Sequence, residues 1–174
     1  MRLLTTAIHP DISDLNASTF TRKATRAIVV NQSQILMLYT KRYDDFSLPG
    51  GGVDNEETIT EGLVRELKEE TGAQKVVNIK EFGLYKEYRP WHKPGFDIIH
   101  MESYCFTCEI EGELTTPTFE PHEVQNGMTP QWVDIFEAIA HNERTIKHSA
   151  KKGMSVERET FLLKRIVDEL INGN

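Results

Sequence analysis

The stretch GGVDNEETITEGLVRELKEETGA, residues 51–73, decides how this chain is read. Thr58 and Glu61 have the spacing of a capping box, in which the threonine hydroxyl holds an orphan helix N–H and the glutamate reaches back. Gly72 offers the left-handed position that ends a helix. The pattern between them, residues 58–71, predicts a helix of about three turns. With about 100° per residue and Glu66 set at zero, Glu70 falls at about +40° and Glu69 at about −60°. Leu63, Leu67 and Val64 follow from about +60° to +160°, so an acidic arc borders the buried stripe. Carboxylates this close repel, at roughly a few tenths of a kcal/mol per exposed pair. A divalent cation would remove that penalty. Gly62, near −40° in the same frame, costs about 1 kcal/mol relative to alanine inside a helix. It is expected to leave a bare patch for metal or phosphate.

An acidic helix face taken alone usually does no more than meet water. Here Gly51, Glu57, Arg65, Glu66, Leu67, Glu69, Glu70 and Gly72 follow a fixed order. It is a glycine, five residues, Glu, seven residues, then Arg-Glu-aliphatic-any-Glu-Glu-any-Gly. The segment resembles the box of the Nudix hydrolase family. Seven exact matches at average residue usage have a chance frequency on the order of 10⁻⁸ per starting position. Ala73 departs, being smaller than the aliphatic residue the family places there, which touches packing and not chemistry.

The resemblance implies an α/β fold, a Nudix-type α/β/α sandwich with a mixed sheet and a loop–helix–loop catalytic motif. That motif would hold Mg²⁺ or Mn²⁺ against a substrate diphosphate. Glu66, Glu69 and Glu70 are implied as catalytic metal ligands, with the Gly50 carbonyl as a further ligand. Glu57 and Arg65 are implied as an orienting ion pair, which makes Arg65 structural. The chemistry agrees, because Mg²⁺ is hard, keeps waters and is typically bound by a few carboxylates plus phosphate. Gly50, Gly51 and Gly52 let backbone approach an anion closely.

The expected reaction is water attack on the pyrophosphate of a nucleoside diphosphate linked to another moiety. Glu66 is the first choice of general base, with Glu120 and Glu123 as alternatives from a later loop. ADP-ribose hydrolases of this family often carry a proline shortly past the box. Pro90 lies slightly beyond that place, which tilts the expectation toward ADP-ribose or a nucleotide sugar. A non-catalytic nucleotide sensor is the alternative function, although such domains commonly lose the box glutamates kept here. Isopentenyl-diphosphate isomerase shares the fold but needs a cysteine in a strand context that Cys105 and Cys108 do not resemble.

Outside the box, residues 26–30 and 34–40 read as a β-hairpin about Asn31-Gln32-Ser33. Residues 41–45 read as a polar loop, and residues 76–88 and 96–110 as two long strands. Residues 112–127, acidic and proline-punctuated, read as a loop and 129–133 as a short strand. Residues 135–143 and 156–171 read as amphipathic helices, the second with Ser155 in the N-cap position. Residues 1–20 are expected to be an N-terminal arm and 21–174 one domain. Arg89 and Trp91, in an expected loop, and Lys41 and Arg42, ahead of the glycines, are candidate substrate contacts. Lys147, His148, Lys151 and Lys152 form a basic cluster read chiefly as solvated surface.

Apolar residues are 39% of the chain and charged residues 27%, as in a soluble globular protein. The net charge of −7 argues against general affinity for nucleic acid, which needs a basic face. No run is long enough to span a membrane, and the N-terminus is a poor signal peptide, so the cytoplasm is the expected compartment. The partner expected is a small nucleotide-like substrate, with a homodimer as a candidate assembly by analogy alone. Cys105 and Cys108 lie three apart on an expected strand, hence on opposite faces, and are read as inert core thiols.

Overall fold

Alternation along the strands sets the layers. Ile28, Ile35 and Met37 join one apolar cluster with Cys105, Leu162 and Leu163, whereas Ala27, Val29 and Leu36 join another with Leu63, Leu67 and Cys108. A side-chain period of two therefore divides one set of strands between two cores, one on each face. The two cysteines, expected on opposite faces, fall in different clusters. Both are free and buried, and burial pushes each thiol up to about 12.

The computed structural model describes residues 1–173; the expected C-terminal boundary, Asn174, lies outside them. One sheet has the order β1 (Leu3–Ile8), β6 (Lys75–Pro90), β7 (Ile98–Glu111), β2 (Thr19–Ile28). Its outer pairs are parallel and its central pair antiparallel. The second sheet centres on β4 (Gln34–Thr40), which carries β8 (Met128–Asp134) along its length. The short strands β3 (Val30–Asn31) and β5 (Asp45–Ser47) pair with its two halves. Helix α1 (Ile59–Thr71) supplies Leu63 and Leu67 to one core. Helices α3 (Ile135–His148) and α4 (Val156–Ile166) supply the other, so the expected α/β/α layering with a mixed sheet is present.

Several boundaries differ from the expectation. The N-terminal residues form an edge strand, because β1 pairs in parallel with β6. Strand β2 begins at Thr19 and not at Arg26, since its polar outer half is paired along β7. Asp45, expected in a loop, opens β5, and Arg89, also expected in a loop, lies within β6. The expected loop over residues 112–127 contains a short helix, α2 (Pro121–Asn126), with Pro121 in its first turn. Ser155 stands at the N-cap of α4 but makes no side-chain capping bond, and α4 continues as a π-helical turn over Val167–Ile171.

A buried chain of charge fixes α4 to the sheets. Arg89 Nε and Nη2 donate to Glu87 Oε2 at 2.8 and 2.6 Å, and Arg158 Nη1 donates to Glu87 Oε1 at 2.6 Å. Arg158 also grips Glu159 Oε1, and Glu159 Oε2 accepts the Leu48 N–H at 3.0 Å. All four charged residues are buried. The chain thus runs from β6 through α4 to the segment entering the glycine turn. Glu87→Ala would strand the buried Arg89 guanidinium and strip Arg158 of one of its two carboxylate partners, and the expected loss of stability is about 3–5 kcal/mol in denaturant unfolding. Lys75→Ala, which breaks the exposed pair with Glu111, should cost under about 1 kcal/mol. Equal, small losses at both positions would show that the buried chain does not fasten α4.

Candidate active site

Strands β4 and β5, helix α1 and the glycine turn between them enclose a cavity of about 410 Å³. Its walls carry Glu66 and Glu70 from α1, Gly50 to Gly52 from the turn, and Glu120 and Glu123 from the start of α2. The turn is held to β2 by the bonds Thr25 N–H to Gly51 O, 2.9 Å, and Ala27 N–H to Pro49 O, 2.8 Å. Gly50 has φ +138, and a Cβ there would run into the Thr25 carbonyl, so only glycine allows this closeness.

Helix α1 starts and ends where its sequence directs. Thr58 and Glu61 form the capping box, and Gly72 closes the helix at φ +74. Its acids take unequal positions. Glu70 is buried, and its Oε2 accepts the Gly50 N–H at 2.6 Å. Burial, then the neighbouring Glu66 and Glu123, push its carboxyl well above the usual range, against the pull of that N–H. The Glu66 carboxylate lies against Gly51, where a Cβ would come 2.5 Å from Oε1. Burial raises its pKa, opposed by Arg65. Glu123 is buried and accepts the Glu120 N–H at 2.7 Å, while Glu120 stands exposed beside His122 at 3.0 Å.

Arg65 gathers these pieces. Its Nε and Nη2 grip both oxygens of Glu57 at 3.1 and 2.6 Å, and Nη2 also donates to Gly52 O at 3.0 Å. Nη1 donates to Glu66 Oε1 at 2.9 Å and Glu69 Oε2 at 3.2 Å. The bond from Arg65, foremost, holds the Glu57 carboxyl below its usual range.

Not every candidate reaches the cavity. Glu69 is turned to Arg65 with its side chain 43% exposed, and it is not part of the cavity wall. The Arg89 guanidinium is committed to Glu87 inside the protein, which corrects its reading as a substrate contact. Trp91 packs edge-on to Phe20 with centroids 4.9 Å apart, and neither it nor Pro90 lines the cavity. Lys41 and Arg42 flank the wall residues Thr40 and Tyr43, and Arg42 donates to Asn126 Oδ1 at 3.0 Å. Gly62 makes no bare patch for metal, because a Cβ there would meet Glu57 Oε1 at 2.9 Å. Its role is to let Glu57 close over the helix. The sequence reading missed Arg26, Asp45, Arg158 and Glu159, all of which line the cavity. An arginine at the head of the apolar run Arg26-Ala-Ile-Val-Val was the available signal for the first.

The donor set suits a hard cation. Among the described residues no three His, Cys, Asp or Glu side chains converge as a ready-made metal cluster. Magnesium does not need one, since it commonly takes one or two carboxylates and completes its shell with water and substrate phosphate. Glu66 and Glu70, facing the glycine turn, fit that demand.

Asp45 is only 5% exposed and stands among the charges of Glu159, Asp44, His141 and Arg158. Burial, then Glu159 and Asp44, push it up to about 6. A carboxyl whose folded pKa exceeds its unfolded value binds its proton more tightly when folded. Its contribution to stability therefore falls as pH rises from about 4 through 6. Asp45→Asn should leave stability near wild type at about pH 4 and raise it by up to about 3 kcal/mol at about pH 7.5. Denaturant melts of both proteins at the two pH values check this; a variant less stable at the higher pH would contradict it.

The comparisons agree with this geometry. The Nudix domain family matches residues 20–153. A MutT protein from Bacillus halodurans superposes with a TM-score of 0.54 at 26% identity, covering 68% of this chain and 72% of that one. A MutT Nudix hydrolase from Burkholderia pseudomallei has the same fold, with a TM-score of 0.52 at 21% identity, covering 67% and 85%. The family match spans most of the chain and contains the capped helix, the glycine turn and the acids between them: this protein belongs to the Nudix hydrolase family.

Proposed function

We propose that the protein hydrolyses the pyrophosphate of a nucleoside diphosphate linked to a second moiety, in a reaction that requires magnesium or manganese. The observation that carries this reading is the placement of Glu66 and Glu70 on one cavity wall, opposite the glycine turn that Arg65 pins to α1. Glu66, Glu70 and the Gly50 carbonyl would hold the metal, with Glu69 acting from the rim through water. When bound, the metal supplies charge neutralisation on phosphate oxygens and a more acidic attacking water.

The remaining work falls to the chain itself. Glu66, whose pKa burial has raised, would take the proton of the attacking water. Glu123 is the alternative base, since its charge acts on both Glu66 and Glu70. Glu70, held by the Gly50 N–H, keeps the turn and the helix in register. Arg22 lines the same cavity and would meet substrate phosphate. Retention of all the box acids supports catalysis over the sensor alternative.

The test is a panel of ADP-ribose, nucleotide sugars, dinucleoside polyphosphates and nucleoside triphosphates, with Mg²⁺ and with Mn²⁺, and products identified. Hydrolysis between the phosphates of a diphosphate-linked substrate, lost on chelation and restored by metal, is expected. Glu70→Gln should lower kcat by about two to three orders of magnitude while thermal melting shows a folded protein. Wild-type turnover by that variant would remove Glu70 from the machinery, and tight binding without turnover of any substrate would favour a sensor.

A further inference from the structure

Nothing in the hydrolytic chemistry uses Asp45, yet it lies in the wall of the same cavity. Strand β5 turns Phe46 into the core and leaves Asp45 and Ser47 on the cavity side. Asp45 is paired across the strands with Thr40, and Thr40 with Met128, while Ser47 is paired with Leu38. The result is a polar end, Asp45 and Thr40, flanked by the apolar side chains of Leu38 and Met128, with Tyr43 close by. This suits the edge and the face of a flat heterocycle. Asp45 and Gly50 are five positions apart, at most about 17 Å of extended chain, a distance that a nucleoside joined to its pyrophosphate can bridge.

Asp45 is 5% exposed as a residue and lines the cavity, so a ligand seated there can bring donors to its carboxylate. At neutral pH it is chiefly ionised, because burial raises it only to about 6. An ionised carboxylate offers two acceptor oxygens and no donor. Among the common bases, guanine alone sets two N–H donors side by side, the ring N1–H and the 2-amino group. Adenine and cytosine place one amino donor beside a ring lone pair, and uracil flanks its single N–H with carbonyl oxygens. Each of these turns a lone pair toward the carboxylate.

We infer that Asp45 is a specificity-determining residue that reads the N1–H and amino edge of guanine, so that the preferred substrate is a guanosine diphosphate linked to a second moiety. The inference rests on the pyrophosphatase reading above and names the substrate class for that same cavity.

GDP-glucose, ADP-glucose and UDP-glucose differ only in the base and serve as the probes. With Mg²⁺, wild-type kcat/KM for GDP-glucose should exceed the other two by tenfold or more. Asp45→Asn should lower the GDP-glucose value by about 10- to 100-fold, chiefly through KM, and bring the ratios near one. Calorimetric titration with GDP and ADP, each with Mg²⁺, measures the same preference without turnover. Hydrolysis with equal rates on all three sugars would overturn the guanine reading and leave the pyrophosphatase reading standing. Absence of turnover with selective GDP binding that Asp45→Asn abolishes would do the reverse. A guanine preference that survives in Asp45→Asn would also overturn the inference, and a variant that melts no lower than wild type excludes unfolding as the cause of a loss.

Discussion

The site depends on one guanidinium. Arg65 holds the Glu57 carboxylate from two sides, the Gly52 carbonyl, and one oxygen each of Glu66 and Glu69. Without a cation between them, the acids on α1 would push apart, and the glycine turn would be tied to the helix only through the Gly50–Glu70 bond. A planar fork of five donors can meet such partners at once, which the point charge of a lysine cannot. Each nitrogen of the Arg65 fork is thus engaged by protein, and its work is to present other groups.

A second, deeper constraint lies behind the cavity. The chain Arg89–Glu87–Arg158–Glu159 is buried, and its last carboxylate receives the Leu48 N–H just ahead of Gly50. Arg26 sits between this chain and Glu70, lowered from its usual pKa by burial and by Arg158. The cavity wall is thus built largely from charges that compensate one another within the fold, with Asp45 as a member on which burial and the acids Glu159 and Asp44 outweigh His141 and Arg158. Sites that act on ligands commonly retain such locally unfavourable groups, because the ligand completes them.

The sequence disclosed the parts governed by local rules. Thr58, Glu61 and Gly72 bound α1 because capping is decided within a few residues, and the box acids are legible from spacing alone. Long-range placement was another matter. Arg89 reads as a loop residue in sequence because Pro90, Trp91 and Pro94 crowd behind it, whereas β6 runs through Pro90 paired with Ile98. Helical geometry put Glu69 on the same arc as Glu66 and Glu70, but it could not show that Arg65 would draw Glu69 to the rim. In sequence Gly62 looks like space for a ligand, and only the fold of the preceding loop shows Glu57 filling it. Asp45 was invisible as a site residue, since the polar run from Lys41 carries no alternation, and its partner Thr40 belongs to the preceding strand. Arg158 and Glu159 lie outside the box by almost ninety positions and reach the cavity only through the packing of α4.

The claim at the centre is that Glu66, Glu70 and the Gly50 carbonyl together receive a divalent cation beside the substrate diphosphate. The most direct measurement is a crystal structure grown with Mn²⁺ and a non-hydrolysable methylene-bridged nucleoside diphosphate analogue, read in the manganese anomalous signal. A peak bounded by those two carboxylates, that carbonyl and the analogue's phosphate oxygens is the predicted result. Manganese bound elsewhere with the cavity filled by the analogue alone, or both carboxylates turned away from the metal, would contradict it.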